Sequence, residues 1–242
     1  MILYFHTDAL VLKNSDYRES DKLVTVFSRE RGKIRAVARG VKKPRSSLRA
    51  CVQPFCHTHL YFRQGKGLDL LTQGKLLHFF PNCREDFDRL LDALYIIELL
   101  DKTTMEQAAL PGLFDTALEV LTYLNDQGQN PLLMRLFEVH LLVELGYHPE
   151  IVHCVHCGQA VKNPTIFDLP QGGVVCSSCA ASTGSNFPLA ADSLALFRFL
   201  TTASPSILNR IKPSPAALDQ LKLFLEKYLE YHLEQRFQFR KT

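Results

Sequence analysis

Leu23-Val24-Thr25-Val26-Phe27, a turn at Arg31-Gly32, and then Lys33-Ile34-Arg35-Ala36-Val37-Ala38-Arg39 decide the fold of the amino-terminal part. The first run is β-branched and apolar, the residue class that fits a pleated, buried surface. The second alternates with period two. Ile34, Ala36 and Ala38 share one face, while Lys33, Arg35, Val37 and Arg39 share the other. The two runs predict neighbouring strands whose small apolar side meets a core and whose other side carries three cations. Further strands are expected at roughly Val52–Phe62 and Leu68–Leu76, with a turn at Gln64-Gly65-Lys66-Gly67. About five strands within residues 8–78 suit a small five-stranded antiparallel barrel of the oligonucleotide-binding (OB) type, with an SH3-like barrel as the alternative.

After Pro81 the period becomes helical. Asn82 with Glu85 three residues on resembles a capping box, and Phe87, Leu90, Leu91, Leu94, Ile97 and Asp101 trace one side of a helix. A second helix is expected from Pro111 to about Asn125, and a third is opened by Asn130-Pro131 and closed by Gly146. Helical spacing resumes near Asp192–Leu200 and again after Ser214-Pro215. The expected class is α+β: an OB-type barrel over 1–80, then a helical domain over 81–242 with a cysteine ribbon inserted at about 150–186.

The ribbon rests on two pairs, Cys154-Val155-His156-Cys157 and Cys176-Ser177-Ser178-Cys179. Such spacing aims four sulfurs at one ion, and a closed four-thiolate shell staples a fold rather than catalysing. One structural zinc on Cys154, Cys157, Cys176 and Cys179 is the leading reading, with a redox centre or an iron–sulfur cluster as alternatives. His153 and His156 flank the first pair and are read as bystanders; Cys51, Cys56 and Cys83 are read as small buried side chains. Without a basic, apolar leader at residue 1 the expected address is cytoplasmic, where thiols stay reduced. No run long enough to cross a bilayer argues against a membrane partner.

The net charge of +3 conceals an uneven distribution: +9 over residues 1–80, −9 over 81–150 and +3 over 151–242. Arg35, Arg39, Lys42, Lys43, Arg45 and Arg49 fall within 15 residues without an intervening acid, broken by Gly40, Pro44 and Ser46-Ser47. A Gly- and Pro-containing cationic loop beside a strand can follow a phosphate backbone, and Tyr17, Phe55, Tyr61 and Phe62 are available for base stacking. No phosphate loop, nucleophile elbow or His-Glu-x-x-His stands in the chain. The acidic Glu85-Asp86-Phe87-Asp88 sits at a helix start, where the macrodipole favours it, so no enzyme is expected.

These features resemble the RecO family of bacterial recombination mediators across essentially the whole chain. The resemblance is carried by Ala9-Leu10-Val11-Leu12-Lys13, Tyr17-Arg18-Glu19-Ser20-Asp21, Gly32 through Pro44, Leu48, Gln53-Pro54-Phe55, Glu138 to Gly146-Tyr147, and the ribbon cysteines. It implies an OB-fold domain that binds single- and double-stranded DNA, anneals complementary strands, and helps load the RecA recombinase. The implied partners are RecR and the carboxy-terminal tail of single-strand-binding protein, with RecA engaged indirectly and the protein associated with the nucleoid. Its DNA-contacting positions carry over onto Lys33, Arg35, Arg39, Lys42, Lys43, Arg45 and Arg49, and its zinc ligands onto Cys154, Cys157, Cys176 and Cys179.

From the residues alone, a zinc-ribbon RNA-binding protein, a redox or metal-transfer enzyme using the cysteine pairs, and a protein–protein adaptor stay open. Reactive native thiols would mark the enzyme, and the absence of oligonucleotide binding the adaptor.

Overall fold

The computed structural model describes residues 3–161, 166–180 and 186–239, and it divides into two compact units, 1–129 with 237–242, and 130–236. In the first, β1 (Tyr4–Asp16), β2 (Lys22–Ser28), β3 (Gly32–Ala38), β4 (His57–Arg63) and β5 (Asp69–His78) close a barrel in the order β1-β2-β3-β5-β4. A meander would pair only sequence neighbours. Here β1 returns to β4, Tyr4 opposite Arg63, and β3 runs parallel to β5, Ala36 opposite Asp69. That connectivity is the OB-type barrel. A register shift between Val11 and Lys13 bends β1, which pairs with β4 through its first half and with β2 along its second.

The period-two reading of β3 holds: Ile34, Ala36 and Ala38 are buried with Val24, Val26, Leu60, Phe62 and Leu71 in one core. The strand expected at Val52–Phe62 begins only at His57. Residues Ala50–Val52 form a 3-10 turn, Pro54 has no N–H to donate, and Phe55 takes a positive φ of 50°. That turn fills the barrel. A Cβ on Gly74 of β5 would stand 3.1 Å from Cβ of Cys51 and 3.0 Å from Cδ2 of Leu60, so a side chain there would have to push these neighbours aside.

Helices α1 (Pro81–Glu85), α2 (Phe87–Thr103) and α3 (Pro111–Asp126) belong to the same unit. The expected capping box at Asn82 does not form, because the α1 cap is Phe80, which offers no side-chain acceptor. Asn82 instead bonds Asn125 at the end of α3, donating its backbone N–H to Oδ1 at 3.0 Å and its Nδ2 to the carbonyl at 2.9 Å. Asp86 breaks the chain and caps α2 by accepting from Arg89 N–H at 2.9 Å. The break rotates the buried stripe to Ala93, Ile96, Ile97 and Leu100, leaving the expected core residue Phe87 73% exposed. Phe27 on the outside of β2 meets Phe114 of α3, with ring centroids 6.2 Å apart. Cys51, Cys56 and Cys83 are all buried, and burial pushes the Cys83 thiol up to about 11.

The second unit holds α4 (Leu133–Glu144), a three-stranded ribbon of β6 (Ile166–Asp168), β7 (Gly173–Val175) and β8 (Asn186–Pro188), then α5 (Ala191–Leu200) and α6 (Pro215–Leu233). Gly146 ends α4 at φ 81°, with Gly146 N–H on the Val143 carbonyl and Tyr147 N–H on that of Leu142, a Schellman stop. Ser214 caps α6 by accepting from Ala217 N–H at 3.2 Å. The ribbon is seated on α6 through Phe167, whose ring lies 4.8 Å from Phe224 and 5.7 Å from Tyr228. Among the described residues no helix is long and apolar enough to cross a membrane.

Candidate nucleic-acid interface and metal centre

The basic run leaves β3 at Arg39 and crosses to β4 as a loop. Val41, Leu48, Cys51 and Val52 are buried in the barrel core, so the loop is pinned at both ends rather than free. At its root the Asp21 carboxylate accepts Gly40 N–H at 2.8 Å, and the Ser20 carbonyl accepts Lys42 N–H at 3.1 Å. Gly40 holds φ 61°, a conformation that favours glycine. The Gly40 amide holds the Asp21 carboxyl below the usual carboxylate range, with Ser20, Arg18 and Arg39 adding to the effect against partial burial.

The expected cations fall into two classes. Lys33 is turned into the protein: its Nζ donates to the Asp101 carbonyl and lies 3.8 Å from the Asp101 carboxylate, with only 12% of the side chain exposed. Burial pushes its ammonium below the ordinary value while Asp101 pulls it back. Arg35 faces Glu106 at 3.8 Å, and Lys42 faces Asp16 at 2.7 Å. Such solvent-screened pairs hold these side chains only weakly against an arriving phosphate. Arg39, Lys43, Arg45 and Arg49 are exposed, and among the described residues none of the four is in an ion pair.

Beside the loop root lies an open cleft of 510 Å³ whose lining includes Tyr17, Arg18, Arg39, Arg63 and Gly65. It is built from the β1–β2 turn, the end of β3 and the β4–β5 turn, where OB barrels present their ligand loops. Arg18 and Arg63 were missed in the sequence because they stand alone between other residues. The one signal was the Tyr17-Arg18 dipeptide, whose guanidinium lies 5.3 Å from the ring centroid. Of the four aromatic candidates, Phe55 and Phe62 are core, whereas Tyr17 and Tyr61 are more than 40% exposed.

In the other unit Cys154, Cys157, Cys176 and Cys179 converge, their sulfurs all within 4.8 Å of one another. The Cys157 and Cys176 sulfurs are 3.7 Å apart, close to the ~3.8 Å that a tetrahedral ion with bonds of about 2.3 Å requires. Gly158, at φ 71°, donates its N–H to the Cys154 carbonyl at 2.8 Å and turns the first pair back on itself. The Ser178 hydroxyl, 3.0 Å from Cys176 Sγ, draws that thiol down to about 6, with the Cys179 amide assisting. His156 is committed elsewhere: its Nε2 lies 2.9 Å from Asp168 Oδ2. His153 lies 3.7 Å from Glu150. Lys162, a neighbouring cation in the ribbon, lies outside the described residues. The four cysteines form a site compatible with a metal ion.

Comparison with known proteins places these features. Residues 1–80 match the family model described as Recombination protein O N terminal, and residues 84–241 the one described as Recombination protein O C terminal. The chain is 52% identical over 240 residues to the "DNA repair protein RecO" of Syntrophomonas wolfei subsp. wolfei, covering 99% of this chain and 96% of that one. It is 34% identical to the protein of the same name from Desulforamulus reducens, covering 96% and 91% of the two chains. Its identity to the Bacillus pumilus counterpart is 33%, with coverages of 93% and 87%.

Proposed function

This chain belongs to the RecO family, and we propose that it is a DNA-binding mediator of recombinational DNA repair rather than an enzyme. The observation that carries the reading is the loop from Arg39 to Arg49, free of acids and pinned to an OB-type barrel beside a cleft containing Arg18 and Arg63. Cations held in place along a backbone track neutralise phosphates of any sequence and release counterions. Two strands neutralised on one surface can approach each other with their bases free to pair, which is what annealing needs. In this reading the protein binds single- and double-stranded DNA, anneals complements, and with RecR helps load RecA onto strands coated by single-strand-binding protein. The contacts are made by Arg35, Arg39, Lys42, Lys43, Arg45 and Arg49, with Lys33 supporting the strand beneath them. The surfaces that would meet RecR and the single-strand-binding-protein tail are proposed to lie on the helical body.

One structural zinc fits Cys154, Cys157, Cys176 and Cys179, since the sulfur separations and the closed all-cysteine set match that ion. Bound there it supplies no chemistry and only joins the two knuckles of the ribbon. The cytoplasm, near the nucleoid, is the setting in which those thiols and this ligand would both be present.

Binding of a single-stranded oligonucleotide across a salt series tests the reading, with wild type compared against an Arg39→Ala/Lys42→Ala/Lys43→Ala variant. A steep slope that flattens in the variant is expected. No binding by the wild type at low salt, or no gain in annealing rate over buffer, would overturn it.

A further inference from the structure

The outer face of the β1–β4–β5 wall carries a group of rings for which the basic loop gives no account. His6 of β1 stands opposite Tyr61 of β4, and Asp8 opposite His59. The three rings touch one another and form a stepped platform: centroids are 5.0 Å apart for His6–His59 with planes at 44°, 5.5 Å for His6–Tyr61 at 37°, and 5.1 Å for His59–Tyr61 at 73°. Asp8 lies 2.6 Å from His59 Nδ1, which fixes that ring by its edge. Tyr4, 64% exposed, extends the platform along β1, and a shallow cleft of 420 Å³ opens beside Tyr4, His6, Tyr61 and Gln73.

A barrel wall that faced only water would not need this. Aromatic side chains leave much of their apolar area in contact with solvent here, although inward-facing neighbours such as Leu60 and Phe62 are buried. Two cations flank the rings: Arg63 opposite Tyr4, and Lys75 of β5 opposite His59. Arg63 also lines the cleft that contains Arg18 and Arg39. The platform is thus continuous with the proposed phosphate track through one shared guanidinium. Rings inclined to one another by 37–73° present separate faces to solvent, and with cations at the strand's edge they offer stacking faces to unpaired bases whose phosphates lie alongside.

We infer that the His6–His59–Tyr61 platform is a base-stacking subsite that receives single-stranded nucleic acid after it passes Arg63. This rests on the DNA-binding reading of the basic loop and deepens it. The loop holds phosphates of either single- or double-stranded DNA. The platform accepts only bases that are not paired, because a duplex hides their faces. It therefore gives the barrel a preference for single strands that the loop alone lacks.

The experiment compares wild type, His6→Ala/Tyr61→Ala and Tyr61→Phe, each binding an oligothymidylate and an abasic strand of equal length across a salt series. Stacking of one base per ring predicts at least about a fivefold loss per ring removed, measured on the oligothymidylate. The salt slope should not change, Tyr61→Phe should bind as wild type does, and the abasic strand should be indifferent to the double variant. Equal loss on both ligands, a flattened salt slope, or undiminished oligothymidylate affinity in the double variant would overturn the subsite while leaving the loop reading in place. Failure of the wild type to bind either strand would overturn both.

Discussion

The Asp21 carboxylate accepts the backbone N–H of Gly40 at 2.8 Å, so the turn after β1 holds the root of the basic loop. Removing that acceptor in Asp21→Ala should free the loop without opening the barrel. Limited trypsin digestion is then expected to cut first between Arg39 and Arg49, and oligonucleotide affinity to fall with little change in melting temperature. Because the Asp21 carboxyl is depressed by Gly40, the loop's anchorage is complete above the ordinary carboxylate pKa of about 4. It is lost as pH falls through the lower folded value. Wild type and variant cut at the same rate near neutral pH would contradict this role.

Lys33 and Arg45 look alike in the sequence and differ in the fold. Lys33→Ala should lower the melting temperature, since Nζ serves the Asp101 carbonyl, and leave the salt slope of binding unchanged. Arg45→Ala should do the reverse, reducing the slope by about one for each phosphate that the side chain neutralises. Matching effects from the two substitutions would contradict the division.

Arg84 of α1 is held between two rings, its guanidinium 3.9 Å from the Phe55 centroid and 4.0 Å from that of Phe79. It also donates to the Pro54 carbonyl at 2.7 Å and to the Phe79 carbonyl at 2.8 Å. Arg84→Lys keeps the charge and loses the planar fork, with an expected cost of about 1–3 kcal/mol in chemical denaturation. A loss under a few tenths would mean that the stack contributes nothing.

If the four cysteines hold the proposed zinc, Cys176→Ser should lower the metal content of the purified chain and destabilise residues 130–236. Oligonucleotide binding by the barrel should survive. Chelation of the wild type should act in the same direction. Unchanged melting and metal content in the variant would remove the four-sulfur site.

His57 sits against Phe114 at 6.0 Å, and burial lowers its pKa, with His78 and His59 adding to the shift and Asp8 opposing it. The folded state therefore binds this proton less readily than the unfolded chain does. Its contribution is intact above the ordinary histidine value of about 6.5 and declines as pH falls from there toward the folded value. His57→Gln should flatten the dependence of melting temperature on pH below about 6.5. An unaltered profile would assign that slope to other groups.

Much of the fold could be read from local pattern. The alternation of β3 was legible because a single register shift would expose Ile34, Ala36 and Ala38 together. Helix α3, expected from Pro111 to about Asn125, spans Pro111–Asp126 because both ends carry local signals. Helix α2 was misread because Asp86 restarts it: one continuous helix from Asn82 would have put Phe87 inside. Periodicity assigns a residue to a face and is silent on what covers that face. Nothing near Lys33 announces Asp101, and nothing in the isolated Arg18 and Arg63 announces their shared cleft. The four cysteines converge as their spacing implied, since each knuckle is a local turn.

Glu98 of α2 is nearly buried, and its carboxylate accepts the backbone N–H groups of Gln238 at 2.8 Å and of Phe239 at 3.0 Å. Phe237 meets Tyr95 with ring centroids 6.1 Å apart. These residues belong to the barrel's unit although they follow residues 130–236 in the chain. The order of synthesis therefore differs from the order of completion. A nascent chain can close its barrel once Arg63 and His78 have emerged, yet it leaves Glu98 without its amide partners until the whole intervening unit has been translated. During that interval Lys102, 2.7 Å from Glu98, is the charge that keeps the carboxylate compensated. A ribosome stalled before Phe237 should thus hold a formed barrel on an unfinished helical support.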